Sequence, residues 1–189
     1  MTKEIATLPP VEELRDDVPL SPRTGEPRRP GVLVVVGVLS YVAIAAIAFA
    51  YGWHWYRAAH RETYAISSHL VQWLEPEPGK LLSLVLEFVH ACLAGLAGAA
   101  AGVVGFQAWN GHRWARAAAP VALTLTGLVA AGTNLHALTA LALQLVATVL
   151  LFLPPVSRYL DEWERVRTHQ PTHHRRPATV FYGRLPRFR

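Results

Sequence analysis

Apolar residues in this 189-residue chain fall into four long runs, at about 32–53, 81–108, 117–132 and 136–153, separated by short polar stretches. A soluble chain interleaves charge with apolar residues at the period of a helix or a strand. Here the charge gathers at the two ends and in two loops, leaving runs of membrane-spanning length between them. The pattern predicts an all-α, polytopic membrane protein with four transmembrane helices, its membrane domain covering 31–155. The flanking segments, 1–30 and 156–189, are predicted to be cytoplasmic.

The first run, Val32 to Trp53, follows Arg28 and Arg29 and ends among Tyr51, Trp53, Trp55 and Tyr56, an aromatic cluster of the kind that sits at a membrane interface. A twin arginine, an apolar run and Ala48-Phe49-Ala50 also imitate a cleavable export signal. The run is longer than a signal core of about 7–15 residues, so an uncleaved anchor leads and cleavage after Ala50 stays as the alternative. In the outer loop, 54–80, the positions Tyr56, Ala59, Thr63, Ile66, Leu70 and Trp73 share one helical face. They predict a short surface helix ended by Pro76 and Pro78. The third and fourth runs are joined by Thr133-Asn134-Leu135, which permits little more than a turn and so predicts an antiparallel hairpin. Pro120 is expected in the first turn of span three, and Pro154 and Pro155 at the end of span four.

Residues 1–30 are rich in proline and mixed charge and hold few large apolar side chains. They cannot offset their chain entropy by burial and are predicted to be disordered. The P-x-x-P spacings Pro19–Pro22 and Pro27–Pro30 suit either a polyproline contact or a plain tether. Beyond Ser157 an amphipathic stretch puts Tyr159, Trp163 and Val166 on one face, with Asp161 and Arg165 at i,i+4. The last twenty residues carry Arg175, Arg176, Arg184, Arg187 and Arg189, three aromatics and no acid.

Charge adds the threading. With both termini inside, Arg15, Arg23, Arg28, Arg29, Arg113, Arg116, Arg158, Arg165, Arg167 and Arg175 lie near the inner span ends, ten against three (Arg57, Arg61 and Lys80) outside. Positive residues collect on the cytoplasmic side, so N and C termini are both assigned there. The single cysteine, Cys92, lies inside span two, so there is neither a disulfide framework nor a Cys-x-x-Cys metal knuckle.

Candidate chemistry centres on span two, LLSLVLEFVHACLAGLAGAAAGVVGFQA, which holds a carboxylate, Glu87, deep in an apolar run. A charged side chain at a span centre costs about 2.5–3.5 kcal/mol, so such a group faces the bundle or a wet cavity. Glu87 lies roughly 9 Å below the start of the span, at about 1.5 Å per residue. His90 follows at i+3 on the same face. The turn between spans three and four brings Asn134 and His136 to the same level, so Glu87, His90, Asn134 and His136 form one predicted intramembrane cluster. A structural polar knot leads; a proton or small-ligand site and a metal or haem site stay open. A single Glu-x-x-His falls short of the repeated motif of di-iron bundles, so no metal and no cofactor is expected.

The inner half of span two is lined by small residues. Gly98 to Gly102 is a G-x-x-x-G, and Gly95 continues the pattern, so Gly95, Gly98 and Gly102 predict close helix packing, against spans three and four or across a homodimer. The basic positions Arg113, Arg116, Arg175, Arg176, Arg184, Arg187 and Arg189 suit anionic lipid, each worth about 1 kcal/mol beside a charged leaflet. A membrane-protein partner is the other candidate. The tail has no fold or readout motif for specific nucleic-acid binding. His169, His173 and His174 beside it would make its binding pH-sensitive.

Gly111, Arg113, Trp114, Ala115 and Arg116 after span two, with Leu150 to Leu160 closing span four, resemble the G-x-R-W-A-R turn and Pro-terminated Leu-rich span of small four-span membrane proteins of GC-rich Gram-positive bacteria. The likeness covers roughly 30–160; it implies a plasma-membrane location and no substrate. Gly-rich phosphate loops, G-x-S-x-G, H-E-x-x-H and paired acids are absent from the sequence, and an enzyme is not expected. The leading expectation is a scaffold or accessory subunit acting through its basic ends. The alternative is a small transporter, channel or proton-coupled sensor using Glu87 and His90.

Overall fold

The structure is a computed structural model in which residues 26–168 are described. Among these the chain is all-helical: α1 (Gly31–Ala58), a 3-10 turn (Tyr64–Ile66), α2 (His69–Leu74), α3 (Leu81–Trp109), α4 (Trp114–Gly132), α5 (Ala137–Leu151) and α6 (Pro154–Thr168). Three helices, α1, α3 and α4, are long and apolar enough to cross a membrane. A fourth crossing is counted if α5 and α6, bent by 61° at their junction, are taken as one span. The Pro19–Pro22 spacing and Arg175, Arg176, Arg184, Arg187 and Arg189 lie outside the described residues, as do His169, His173 and His174.

Helix α1 packs against α3 and α5, and α4 packs against the same two, so the four form a square in which α3 and α5 are diagonal. Successive helices of the square run antiparallel because each is joined to the next at one end, and three such reversals leave α5 antiparallel to α1 as well. The phase of burial follows the coiled-coil alternation of three and four residues. In α1 the buried positions are Leu33, Val36, Ser40, Ala43, Ile47, Ala50 and His54. In α5 they include Ala137, Ala140, Gln144, Ala147 and Leu151. Alanine fills most of this core, which lets backbones approach closely and replaces side-chain interlocking by van der Waals contact along the helices.

The small-residue stripe of α3 meets α1, where the sequence had pointed to spans three and four. A methyl group on Gly98 would stand 3.8 Å from Ile44, one on Gly102 3.3 Å from Ile44, and one on Gly105 3.0 Å from Ser40. At Gly95 nothing lies within 4 Å. The two helices therefore converge away from the 54–80 loop. The stripe faces α1 because α1 carries Ser40 and Ala43 in the matching heptad positions.

Several boundaries differ from the hydropathy runs. Helix α1 continues through Trp53 to Ala58, so the surface helix expected from Tyr56 onwards does not form as one piece. The loop instead holds the 3-10 turn and the six-residue α2, capped by Ser68 Oγ, which accepts from Val71 N at 3.2 Å. Glu75 ends α2 with a left-handed φ of 44°. Tyr64 and Val71 are the apolar side chains the loop buries, whereas Tyr56, Ile66 and Trp73 stay exposed. Helix α4 begins at Trp114, which leaves Pro120 inside it and removes the donor that would meet the Arg116 carbonyl. Pro154 and Pro155 open α6, where a missing N–H costs nothing.

Candidate functional site

The end of the bundle beneath the 54–80 loop gathers the polar side chains. His54, on the last turns of α1, is fully buried. Its Nε2 donates to the Glu87 carboxylate of α3, 3.1 Å from each oxygen. The Glu87 side chain is 29% exposed, so it bridges the bundle and the surroundings. One turn further along α3, His90 is 2% exposed and its ring stacks on that of His54, with centroids 4.3 Å apart. His90 Nδ1 lies 2.7 Å from the Leu86 carbonyl, and Nε2 lies 3.2 Å from the Gly132 carbonyl at the end of α4.

A second histidine reaches the same helix end. His69 of α2 places Nδ1 3.2 Å from the Ala131 carbonyl, and its backbone N donates to the Thr133 carbonyl at 2.8 Å. Leu70 packs on Gly132 beside them, where an added methyl would stand 3.1 Å from Leu70 Cδ1. Carbonyls in the last turn of a helix have no intrahelical donor, so these imidazoles supply partners that α4 lacks. Burial pushes the Tyr64 hydroxyl above its ordinary value; the Glu87 charge adds to the rise and Ser83 opposes it.

The expected cluster is therefore rearranged. Glu87 and His90 stand together, but His54 is their third member. Asn134 ties the α4–α5 turn to α1, donating from Nδ2 to the Ala50 carbonyl at 2.9 Å. His136 sits edge-on to Phe49 and Trp53, with centroids 5.4 and 5.5 Å away. It does so because α5 is diagonal to α3, so the first residues of α5 look at α1. His54 escaped a hydropathy reading that closed span one at Trp53. Its signal was the spacing: Ser40 and His54 are two heptads apart, in the register of the buried positions. Among the described residues no three His, Cys, Asp or Glu side chains are placed to hold a metal.

Below the cluster, Ile47, Ala50, Ala94, Ala97, Val129, Ala130, Ala137 and Ala140 form an apolar layer across the bundle. Beyond it Ser40, Gln144 and Thr148 are buried, and their side-chain oxygens and the Gln144 nitrogen have no hydrogen-bond partner in the protein. Thr124 and Thr126 bond back to their own helix, at the Pro120 and Ala122 carbonyls, and so do not link helices.

The opposite end is closed by α6. Val156, Tyr159 and Leu160 are buried against Leu33, Val36, Ala108 and Ala115. Tyr159 donates its hydroxyl to the Trp109 carbonyl at 2.7 Å. The Trp163 ring lies against Gly111, whose φ of 72° and lack of a side chain both serve the fit. Arg167 stacks on Trp163 and donates to the Gly111 and Asn110 carbonyls at 3.0 and 2.6 Å. Arg113 forms ion pairs with Glu164 and, at 3.5 Å, Asp161; Arg116 Nε donates to the Leu151 carbonyl at 3.1 Å. Of the seven arginines expected at anionic lipid, the two among the described residues, Arg113 and Arg116, are thus engaged with the protein itself.

These features define a bundle of apolar antiparallel helices, polar at one end and capped by an amphipathic helix at the other. No family model, curated protein or solved structure matches the chain.

Proposed function

We propose that the chain is a non-enzymatic four-span protein of the plasma membrane, a scaffold or accessory subunit with both termini cytoplasmic. Helix α5 supplies the fourth span. Its 15 residues reach only about 22 Å, short of a hydrocarbon core of about 30 Å, but it packs against α1 and α4, with Asn134 Oδ1 accepting from His136 N before it and Arg116 Nε donating to the Leu151 carbonyl at its end. Arginines gather at the α6 end (Arg28, Arg29, Arg113, Arg116, Arg158, Arg165 and Arg167), which supports the cytoplasmic assignment. Ala50 is fully buried within unbroken helix, which supports the uncleaved anchor. The resemblance to small four-span proteins of Gram-positive bacteria agrees with this reading.

The observation that carries the functional reading is the fastening of α6. Through Trp163, Arg167 and the Arg113 pairs it fixes Thr168 at the arginine-rich end of the bundle, and the basic stretch 169–189 follows it in sequence. Anionic lipid, or a membrane-protein partner or second copy with an acidic surface, is the occupant such a stretch attracts. Affinity purification of the full chain from its native membrane, beside a chain ending at Thr168, tests it. A stoichiometric partner, or enrichment of anionic lipid, that is lost on truncation is the expected result. Identical material from both chains overturns the reading.

A second reading, a proton-coupled sensor, is favoured by the His54–Glu87–His90 group. The apolar layer beneath that group separates it from Gln144 and argues for sensing over transport or conduction.

A further inference from the structure

His90 makes two contacts that one neutral imidazole cannot satisfy. The Leu86 and Gly132 carbonyl oxygens carry no proton, so each contact needs an N–H from the ring. Neutral imidazole has one; its other nitrogen presents a lone pair to an oxygen lone pair. Only the imidazolium donates to both. The Glu87 carboxylate lies one turn away on the same helix, and the C-terminal end of α4 at Gly132 faces the ring. His54 beside it needs only its Nε2–H, which serves Glu87, and its Nδ1 is buried without a partner.

We propose that His90 is a proton-operated latch: protonated, it ties α3 to the last turn of α4, and on losing the proton it releases Gly132. This rests on the sensing reading and names its titrating residue. The titratable groups facing His90 are Glu87 on its own helix, His54 on α1 and His69 on α2. The last turn of α4 contributes only carbonyls, and His136 of α5 is turned towards Phe49 and Trp53. His69 needs only its Nδ1–H for Ala131, so its contact survives in the neutral form. Loss of the His90 proton therefore weakens one of the ties holding the end of α4 and leaves α2 as the remaining one.

The test uses the full chain in lipid nanodiscs, at about pH 5.5 and about pH 8.5. Nitrogen NMR reads the protons on the His90 ring, and hydrogen exchange reads residues 129–134 after correction for intrinsic rates. Both ring nitrogens are expected to be protonated at the lower pH and one at the higher. Exchange at 129–134 is expected to be about tenfold faster at the higher pH. In His90→Gln, which keeps a donor and loses the titration, exchange is expected to be the same at both. One protonated nitrogen throughout, or a pH dependence that persists in His90→Gln, overturns the latch. The wild-type measurement stands even where the variant fails to fold. Failure of the sensing reading shows elsewhere, as a cellular phenotype whose response to pH is unchanged by His90→Gln.

Discussion

The two ends of the bundle solve one problem with different chemistry. Each end must satisfy helix carbonyls that have no intrahelical donor. At the α6 end, arginine does this: Arg167 serves the end of α3, and Arg116 the end of α5. At the loop end, histidine does it: His69 and His90 serve the end of α4. Guanidinium stays charged at any physiological pH, whereas imidazole does not. Under the latch proposed for His90, one end of the bundle closes independently of pH and the other does not. The packing of the two ends differs as well, since α1 and α3 draw together towards the α6 end and separate towards the loop.

The strongest way to break this contrast is at Gly111. A side chain there would overlap the Trp163 ring and would sit at a φ of 72°, which a β-branched residue tolerates poorly. Gly111→Val is expected to undock α6 and to cost about 2–4 kcal/mol, as overpacking and backbone strain add. Denaturant unfolding in detergent measures the loss, and limited proteolysis within 154–168 locates it. Unchanged protection of α6 would mean that Trp163 has another resting place.

A smaller effect is expected from Glu87 at the loop end. Glu87→Ala leaves the buried His54 N–H without its acceptor, a cost of about 1–3 kcal/mol. The lower part of that range applies because the carboxylate is partly exposed. Glu87→Gln keeps an oxygen for His54 and is expected to recover most of the loss in the same unfolding measurement. Equal stability of Glu87→Ala and the wild type would show that the pair does not hold this end together.

The contrast was only partly legible in the sequence. The helices were, because apolar runs of spanning length leave few other choices. So was the face of Tyr159 and Trp163, since α6 is amphipathic. Its partner was not: that Gly111 receives Trp163 depends on an approach across more than fifty residues of chain. The phase of α1 was hidden for the opposite reason. Nearly every residue from Val32 to Ala50 is apolar, so hydropathy cannot say which face turns inward, and His54 fell outside the run. The site was half visible, as Glu87 and His90 stood out against their surroundings. His136 was misplaced because sequence proximity to Asn134 says nothing about which diagonal of the square α5 occupies.

The smallest effects sharpen the packing side of the contrast through their sign. A methyl group on Gly105 would stand 3.0 Å from Ser40 Cβ, so α1 and α3 must part slightly to admit it. Gly105→Ala is expected to cost about 1 kcal/mol, the lower bound of overpacking in a tight seam. At Gly95 the same methyl meets nothing within 4 Å, and the helix gains from a residue with less backbone freedom to lose. Gly95→Ala is expected to stabilise by about 0.5–1 kcal/mol. The two variants differ by one carbon on one helix, so opposite shifts of the unfolding midpoint report the local separation of α1 and α3. Stabilisation by both would mean that α1 backs away from α3 freely near Ser40, and that the α6 end is not the tighter of the two.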